Sequence, residues 1–206
     1  MKVKKMEDFQ KNKVKIYLED VEDDFSKYVD SNGYFCFLYK KEISKYKLKD
    51  KEEITIKTFE KILDNQKSRT SNKAAAILMR SSKTIKGLRD KLLLDGYNIF
   101  LIEEEISKMI SYGYLNDKRF AELYIDSNKN KKSIKVIKMT LIQKGIDRNI
   151  VEELLLGEDD KQDKLVRDLI NKKLKGREWD SLDYKEKSKI KAYLYSKGFK
   201  FNGFDE

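Results

Sequence analysis

A pattern of caps, apolar residues and glycine recurs after 49 residues, and it restricts the chain to a small set of folds. In the first copy Thr84 precedes IKGLRDKLLLDG. Thr84 suits a helix N-cap, Ile85, Leu88 and Leu92 share one helical face, and Gly96 suits the left-handed position after the last turn. Asn98 then caps a further helix with a stripe of Ile102, Ile106, Met109 and Ile110, ending at Gly113. In the second copy Ser133 replaces Thr84, and Ile134, Ile137, Leu141 and Gly145 follow in the same register. Asp147 takes the place of Asn98, and Ile150, Val151 and Leu155 continue the match to a stop at Gly157. A third copy keeps Ile190, Leu194 and Gly198. Caps, stripe and glycine in common register mark an internal repeat.

Each copy has another helix ahead of its Ser/Thr cap. These are AAAILMRSS, extending back toward Ile62, then KRFAELYIDSN and KLVRDLINKKL. The unit is therefore helix–helix–helix. Three short helices bury little alone, so neighbours must share faces. The expected fold is mostly α: tandem three-helix repeats in an elongated array. The stretch GYLNDKRFA (113–121) reads as the joint between units. Tyr114 and Leu115 are expected to plug it, Asn116 or Asp117 to cap the next helix, and Phe120, Leu123 and Tyr124 to point inward. Upstream, VKIYLE and GYFCFLYK read as strands of a small N-terminal β-hairpin element, with VEDDFSKYVDS a loop or short helix between them. The expected organisation is 1–54 for that element, 55–113 for repeat 1, 114–157 for repeat 2, and 158–206 for a repeat 3 lacking its last helix.

Charged residues make up 40% of the chain and proline is absent, which suits slender helices with one buried stripe. The single cysteine, Cys36, sits in an aromatic run and reads as a small buried residue. There is no apolar run long enough for a membrane span and no leader pattern, so a cytoplasmic chain is expected. With no histidine and no P-loop, the common general base and the common phosphate cradle are both missing. The carboxylates lie beside lysines on helical stretches, as in a solvated face. No catalytic, cofactor-binding or metal-ligating residue is assigned, and the chain is not expected to be an enzyme.

The net charge of +10 is concentrated in residues 51–150. Lys67, Arg69, Lys73, Arg80, Lys83, Lys86, Arg89 and Lys91 stand in 67–91, and Lys129, Lys131, Lys132, Lys135, Lys138 and Lys144 in 129–144. The repeat offset pairs Arg80 with Lys129, Lys83 with Lys132, and Lys86 with Lys135. The start of the middle helix in each unit is thus a basic corner, suited to phosphates or an acidic protein face. Helix N-termini there would add N–H donors for an anion. The candidate contact residues are Arg80, Lys83, Lys86, Arg89, Lys129, Lys131, Lys132, Lys135 and Lys138. Among the aromatics, Tyr97, Phe100, Tyr112, Tyr114 and Tyr124 read mainly as core, and Trp179 as either a loop anchor or an exposed contact.

GYLNDKRFA, LIQKGID, LMRSSKTIKGLRDKL and KGF resemble the RecX family of bacterial recombination regulators over roughly residues 55–200. Ser82-Lys83 stands where that family usually has Pro-Arg, Gly87 where it prefers Glu, and Ser133-Ile134 where it has Gly-Pro. The resemblance implies a modulator of RecA, lodged in the groove of the RecA–DNA filament and inhibiting ATP hydrolysis, strand exchange and co-protease function. It implies effects on DNA repair and the SOS response. The implied partners are the RecA filament and, through it, single-stranded or duplex DNA, with no cofactor and no membrane; the chain itself is expected to be monomeric. The alternative is a basic helical DNA-binding module acting as a transcription regulator. Its middle helices, however, are poor in the Asn, Gln and Arg that read base edges.

Overall fold

A computed structural model describes residues 1–157 and 162–199. The chain divides into two compact units, Met1–Leu115 and Asn116–Glu206.

The first unit opens with an antiparallel sheet of three strands, β1 (Lys2–Asp8), β2 (Lys13–Glu19) and β3 (Tyr34–Tyr39), in that spatial order. The hairpin expected from β2 and β3 is present, and β1 extends it. The short α1 (Asp23–Ser26) lies in the β2–β3 connection, and α2 (Lys40–Tyr46) follows β3. Gly33 closes the connection at φ +88°, where a Cβ would stand 2.6 Å from the Leu18 carbonyl oxygen, so only glycine fits. Val14, Ile16 and Leu18 alternate into the core from β2.

The helical part of this unit consists of α3 (Ile56–Arg80), α4 (Ile85–Leu94) and α5 (Ile99–Ser111). Side-chain caps fall where expected: Thr84 accepts from the Gly87 N–H and Asn98 from the Phe100 N–H. Leu88, Leu92, Ile102, Ile106 and Met109 form one buried cluster with Leu115, whereas Ile110 is half exposed. The α3 helix starts earlier than its apolar pattern suggests, capped by Thr55. Its middle turns bury polar groups. Gln66 donates to the Phe37 carbonyl at 2.9 Å, Thr70 to the Gln66 carbonyl at 2.8 Å, and Ser71 to Glu105 at 3.0 Å. A polar stretch can lie inside when every group finds a partner. Sheet and helices share a core at Phe59, which is fully buried between Phe35 (4.6 Å between ring centroids) and Phe25 (4.9 Å).

In the second unit α6 (Asp117–Asn128), α7 (Ile134–Gln143) and α8 (Arg148–Leu155) repeat the trio. Asn116, Ser133 and Asp147 supply the caps. Gly96, Gly145 and Gly198 all have positive φ at equivalent turns. Two details of the joint differ from expectation. Leu115 is buried, but Tyr114 is 70% exposed and plugs nothing. Along α6 it is Ala121 and Ile125 that are buried; Leu123 is 56% exposed. The inward face therefore runs through 121 and 125, with Phe120 and Tyr124 at its edge, and Leu123 lies off it by the 3.6-residue period.

Two more helices follow, α9 (Gln162–Leu174) and α10 (Tyr184–Ser196), packed around Ile170, Leu174, Ile190, Leu194 and Phe199. Trp179 opens a short 3-10 turn and packs partly buried against this cluster, so it anchors the inserted loop. The Gly198 turn sits against the start of α7: the Ser133 N–H donates to the Lys197 carbonyl at 2.9 Å. A Cβ on Gly198 would collide with Val136. The stretch where the last helix of the third copy was expected to be missing (200–206) lies outside the described residues.

Candidate polyanion-contact site

Each basic corner is built by three devices: the end of the first helix, a link of four or five residues, and the capped start of the middle helix. In the first unit Arg80 closes α3, Lys83 stands in the link, and Lys86 and Arg89 lie on successive turns of α4. In the second, Lys129, Lys131 and Lys132 form the link and Lys135 and Lys138 lie on α7.

The nine candidates fall into two groups by their partners. Arg89 reaches across to α5, where its Nη2 donates to Glu103 at 2.9 Å. Lys138 reaches across to α8, where its Nζ donates to Glu152 at 2.7 Å. Both members of each pair are related by the repeat offset, so this is one strut made twice. Lys86 pairs with Asp90 one turn along, at 2.6 Å, and Lys129 with Asp126 at 2.7 Å. Lys132 donates to the Tyr124 hydroxyl at 3.1 Å and lies 5.4 Å from that ring's centroid. Arg80, Lys83, Lys131 and Lys135 form no ion pair within the described residues, and Arg80, Lys131 and Lys135 are exposed. The sequence places the nine in two corners, one in each repeat, but does not by itself reveal the struts. The signal was available, since Glu103 and Glu152 keep the same spacing from Arg89 and Lys138.

The helix N-termini contribute less than the sequence suggests. At α7 the Ile134 N–H donates to the Gln162 side chain at 3.1 Å and the Val136 N–H to Ser133 Oγ at 3.3 Å. At α4 Thr84 Oγ1 takes the Gly87 N–H at 3.0 Å. The chain itself uses donors that an anion would need, which leaves side-chain charge as the main attraction.

The aromatics divide as well. Tyr97 is buried, and burial pushes its hydroxyl up to about 12. Tyr112 and Tyr114 are exposed and meet edge to face at 6.2 Å between centroids. Phe100 is about two-fifths exposed and Tyr124 half-buried. Cys36 is fully enclosed, and burial pushes its thiol well above the ordinary range, which makes it inert.

The struts set an acid limit on stability. The hydrogen bond from Arg89 holds the Glu103 carboxyl below its usual value of 4.5, and Lys138 does the same for Glu152. A carboxyl with a depressed folded-state pKa binds fewer protons folded than unfolded. Its contribution is present above 4.5 and is lost as pH falls through the lower folded value. The expected result is a melting temperature that drops as pH falls through 4.5 and below, with a shallower drop in Glu103→Gln. Circular dichroism melts at several pH values check this; an unchanged slope in the variant would remove Glu103 as a contributor.

The described residues contain no helix long and apolar enough to cross a membrane. The fold and corners define a class: repeated three-helix units that present a cationic surface. Comparison with known proteins narrows it. The family model described as RecX, second three-helix domain, matches residues 116–155. The chain is 31% identical over 174 residues to the regulatory protein RecX of Clostridium beijerinckii, covering 82% of this chain and 81% of that one. To the regulatory protein RecX of Clostridium perfringens strain SM101 it is 31% identical over 195 residues, covering 93% and 86%. The crystal structure of RecX from Lactobacillus salivarius superposes with a TM-score of 0.53 at 34% identity, over 68% of this chain and 92% of that one. A second crystal structure, of a regulatory protein RecX, shares the fold over 96% of this chain and 94% of that one (TM-score 0.55, 20% identity). The chain belongs to the RecX family of regulatory proteins.

Proposed function

We propose that this protein binds a RecA–DNA filament and inhibits the recombinase, ATPase and co-protease activities of RecA, so modulating recombination, repair and the SOS response. The observation that carries the reading is a repeated feature. Beside the capped start of each middle helix stand cations that form no ion pair among the described residues, Arg80 and Lys83 in one unit and Lys131 and Lys135 in the other. A filament repeats its acidic and phosphate groups from protomer to protomer, and a repeated positive surface suits such a target. Membership of the RecX family supports RecA as the partner. The partner acts through surface contact, and no chemistry is required of this chain.

The test is a titration into RecA ATPase on single-stranded DNA, with binding to bare duplex measured at two salt concentrations. Inhibition at well below one molecule per RecA is expected, with weak, salt-sensitive affinity for duplex alone. Tight binding to one duplex sequence with no effect on RecA would contradict the proposal and favour a transcription regulator.

A further inference from the structure

Two aromatic side chains of the first unit stand outside its core. Tyr112 is 69% exposed and Tyr114 is 70% exposed, and they flank Gly113 at the end of α5. The stop of the helix fixes them there. Gly113 has φ +74°, its N–H donates to the Ile110 carbonyl at 2.9 Å, and the Tyr114 N–H donates to the Met109 carbonyl at 2.9 Å. The last turn is thus closed as a Schellman motif, and buried Leu115 ties down the chain behind it. The two rings meet edge to face, with 72° between their planes, which leaves at least one face of each uncovered by the other.

The pair stands at the same end of the unit as the first basic corner. Leu63 of α3 shares a buried cluster with Leu101 of α5, Ser71 donates to Glu105 at 3.0 Å, and Ile77 shares a second cluster with Met109. The two helices therefore run side by side in one direction. From Ser71 to Arg80 the rise is about 13.5 Å, and from Glu105 to Tyr112 about 10.5 Å, so the two ends differ by less than one turn. Glu105, Met109 and Tyr112 are spaced i, i+4 and i+7, on the face that α5 turns toward α3. Tyr112 keeps right-handed helical dihedrals and so continues that face. Lys108 is exposed and lies one turn before Tyr112, which puts a cation beside the ring. Arg80, Lys83 and Lys108 form no ion pair among the described residues.

We propose that Tyr112 and Tyr114 stack on the bases of a single-stranded nucleic acid while Lys108, Arg80 and Lys83 hold its phosphates. This deepens the filament reading and rests on it, since a RecA filament carries such a strand. Every residue of a single strand has a flat π-face and an anionic phosphate, so one ligand satisfies rings and cations together. A duplex keeps its base faces stacked inside and offers only edges and backbone. An acidic peptide would meet the cations but brings no ring to each step.

The experiment is fluorescence anisotropy of the full chain with a short labelled thymidine strand and with an abasic strand of the same length, which has the phosphates without the bases. The thymidine strand is expected to bind more tightly. Tyr112→Ala with Tyr114→Ala should weaken its binding about tenfold and leave the abasic strand almost unaffected, since each stacked base contributes about fivefold or more. Tyr112→Phe with Tyr114→Phe keeps both rings and should recover most of the affinity that the alanine variant loses. Lys108→Ala should weaken both strands and lower the dependence of log K on log salt by about 0.7. All these side chains are exposed, so circular dichroism should show the parent fold throughout. No RecA is present, so a failure here is separate from a failure to inhibit RecA. Equal affinity for the two strands, an unchanged alanine variant, or a phenylalanine variant as weak as the alanine one would each overturn the proposal. A poly-glutamate peptide that binds as tightly as the thymidine strand and is lost in the alanine variant would overturn it in favour of an acidic protein.

Discussion

Asn98→Ala should cost about 2–4 kcal/mol of folding stability, whereas Asp147→Ala, at the equivalent place in the next repeat, should cost about 1 kcal/mol. Both residues cap the third helix of their unit. Asn98 Oδ1 accepts from the Phe100 N–H at 2.8 Å, and Asp147 Oδ1 from the Asn149 N–H at 2.8 Å. The difference lies in the other end of the side chain. Asn98 is 2% exposed, and its Nδ2 donates to the carbonyls of Phe35 at 2.7 Å and Tyr28 at 3.0 Å. Phe35 is the extra residue in a bulge, since Ile16 pairs with Cys36 and the next residue, Tyr17, with Tyr34. A bulge leaves a residue outside the ladder, and here the helix cap supplies a donor for its carbonyl. Removing the amide deletes a cap and strands two buried acceptors, whereas the exposed Asp147 loses only a cap. Urea denaturation of the two variants measures both costs. Equal costs would mean that the sheet gains nothing from Asn98.

The second large effect concerns the basic corners. Arg80→Glu with Lys83→Glu should weaken the proposed inhibition of RecA about tenfold. One exposed and one half-buried contact, each reversed in sign, are worth about 0.5–1 kcal/mol apiece, and 1.4 kcal/mol is a factor of ten. These residues hold no strut, so helicity and melting temperature should stay near those of the parent. Reversing Arg89 or Lys138 is a poorer test, because each also pairs with a carboxylate on the next helix, so a change in contact is mixed with the loss of that pair. Undiminished inhibition with intact folding would remove the first corner from the interface.

How much of this was legible in the sequence depends on where the information sits. Thr84, Asn98, Ser133 and Asp147 were readable as caps, and Asn116 as one of two choices with Asp117, because capping depends on the local chemistry of one side chain. The β1 strand was not readable. KVKKMED is charged at five of its seven positions, and a bulge between Val3 and Lys5 breaks the alternation that marks a strand. The start of α3 was hidden by its buried polar groups, whose partners Phe37 and Glu105 are distant in sequence. At the corners, the location of positive charge was legible but its availability was not. Lys86 and Lys129 are spent on acids within their own turn, and only the structure shows Lys132 turned onto Tyr124.

One comparison bears most directly on the claim that two copies of a unit present equivalent surfaces to a repeated partner. It is the affinity for the RecA–DNA filament of the parent, the Arg80→Glu/Lys83→Glu variant, the Lys131→Glu/Lys135→Glu variant and the combination of all four substitutions. The account predicts similar losses from the two corners and a combined loss close to their product. A full loss from one corner with none from the other, or four reversals without effect, would contradict it.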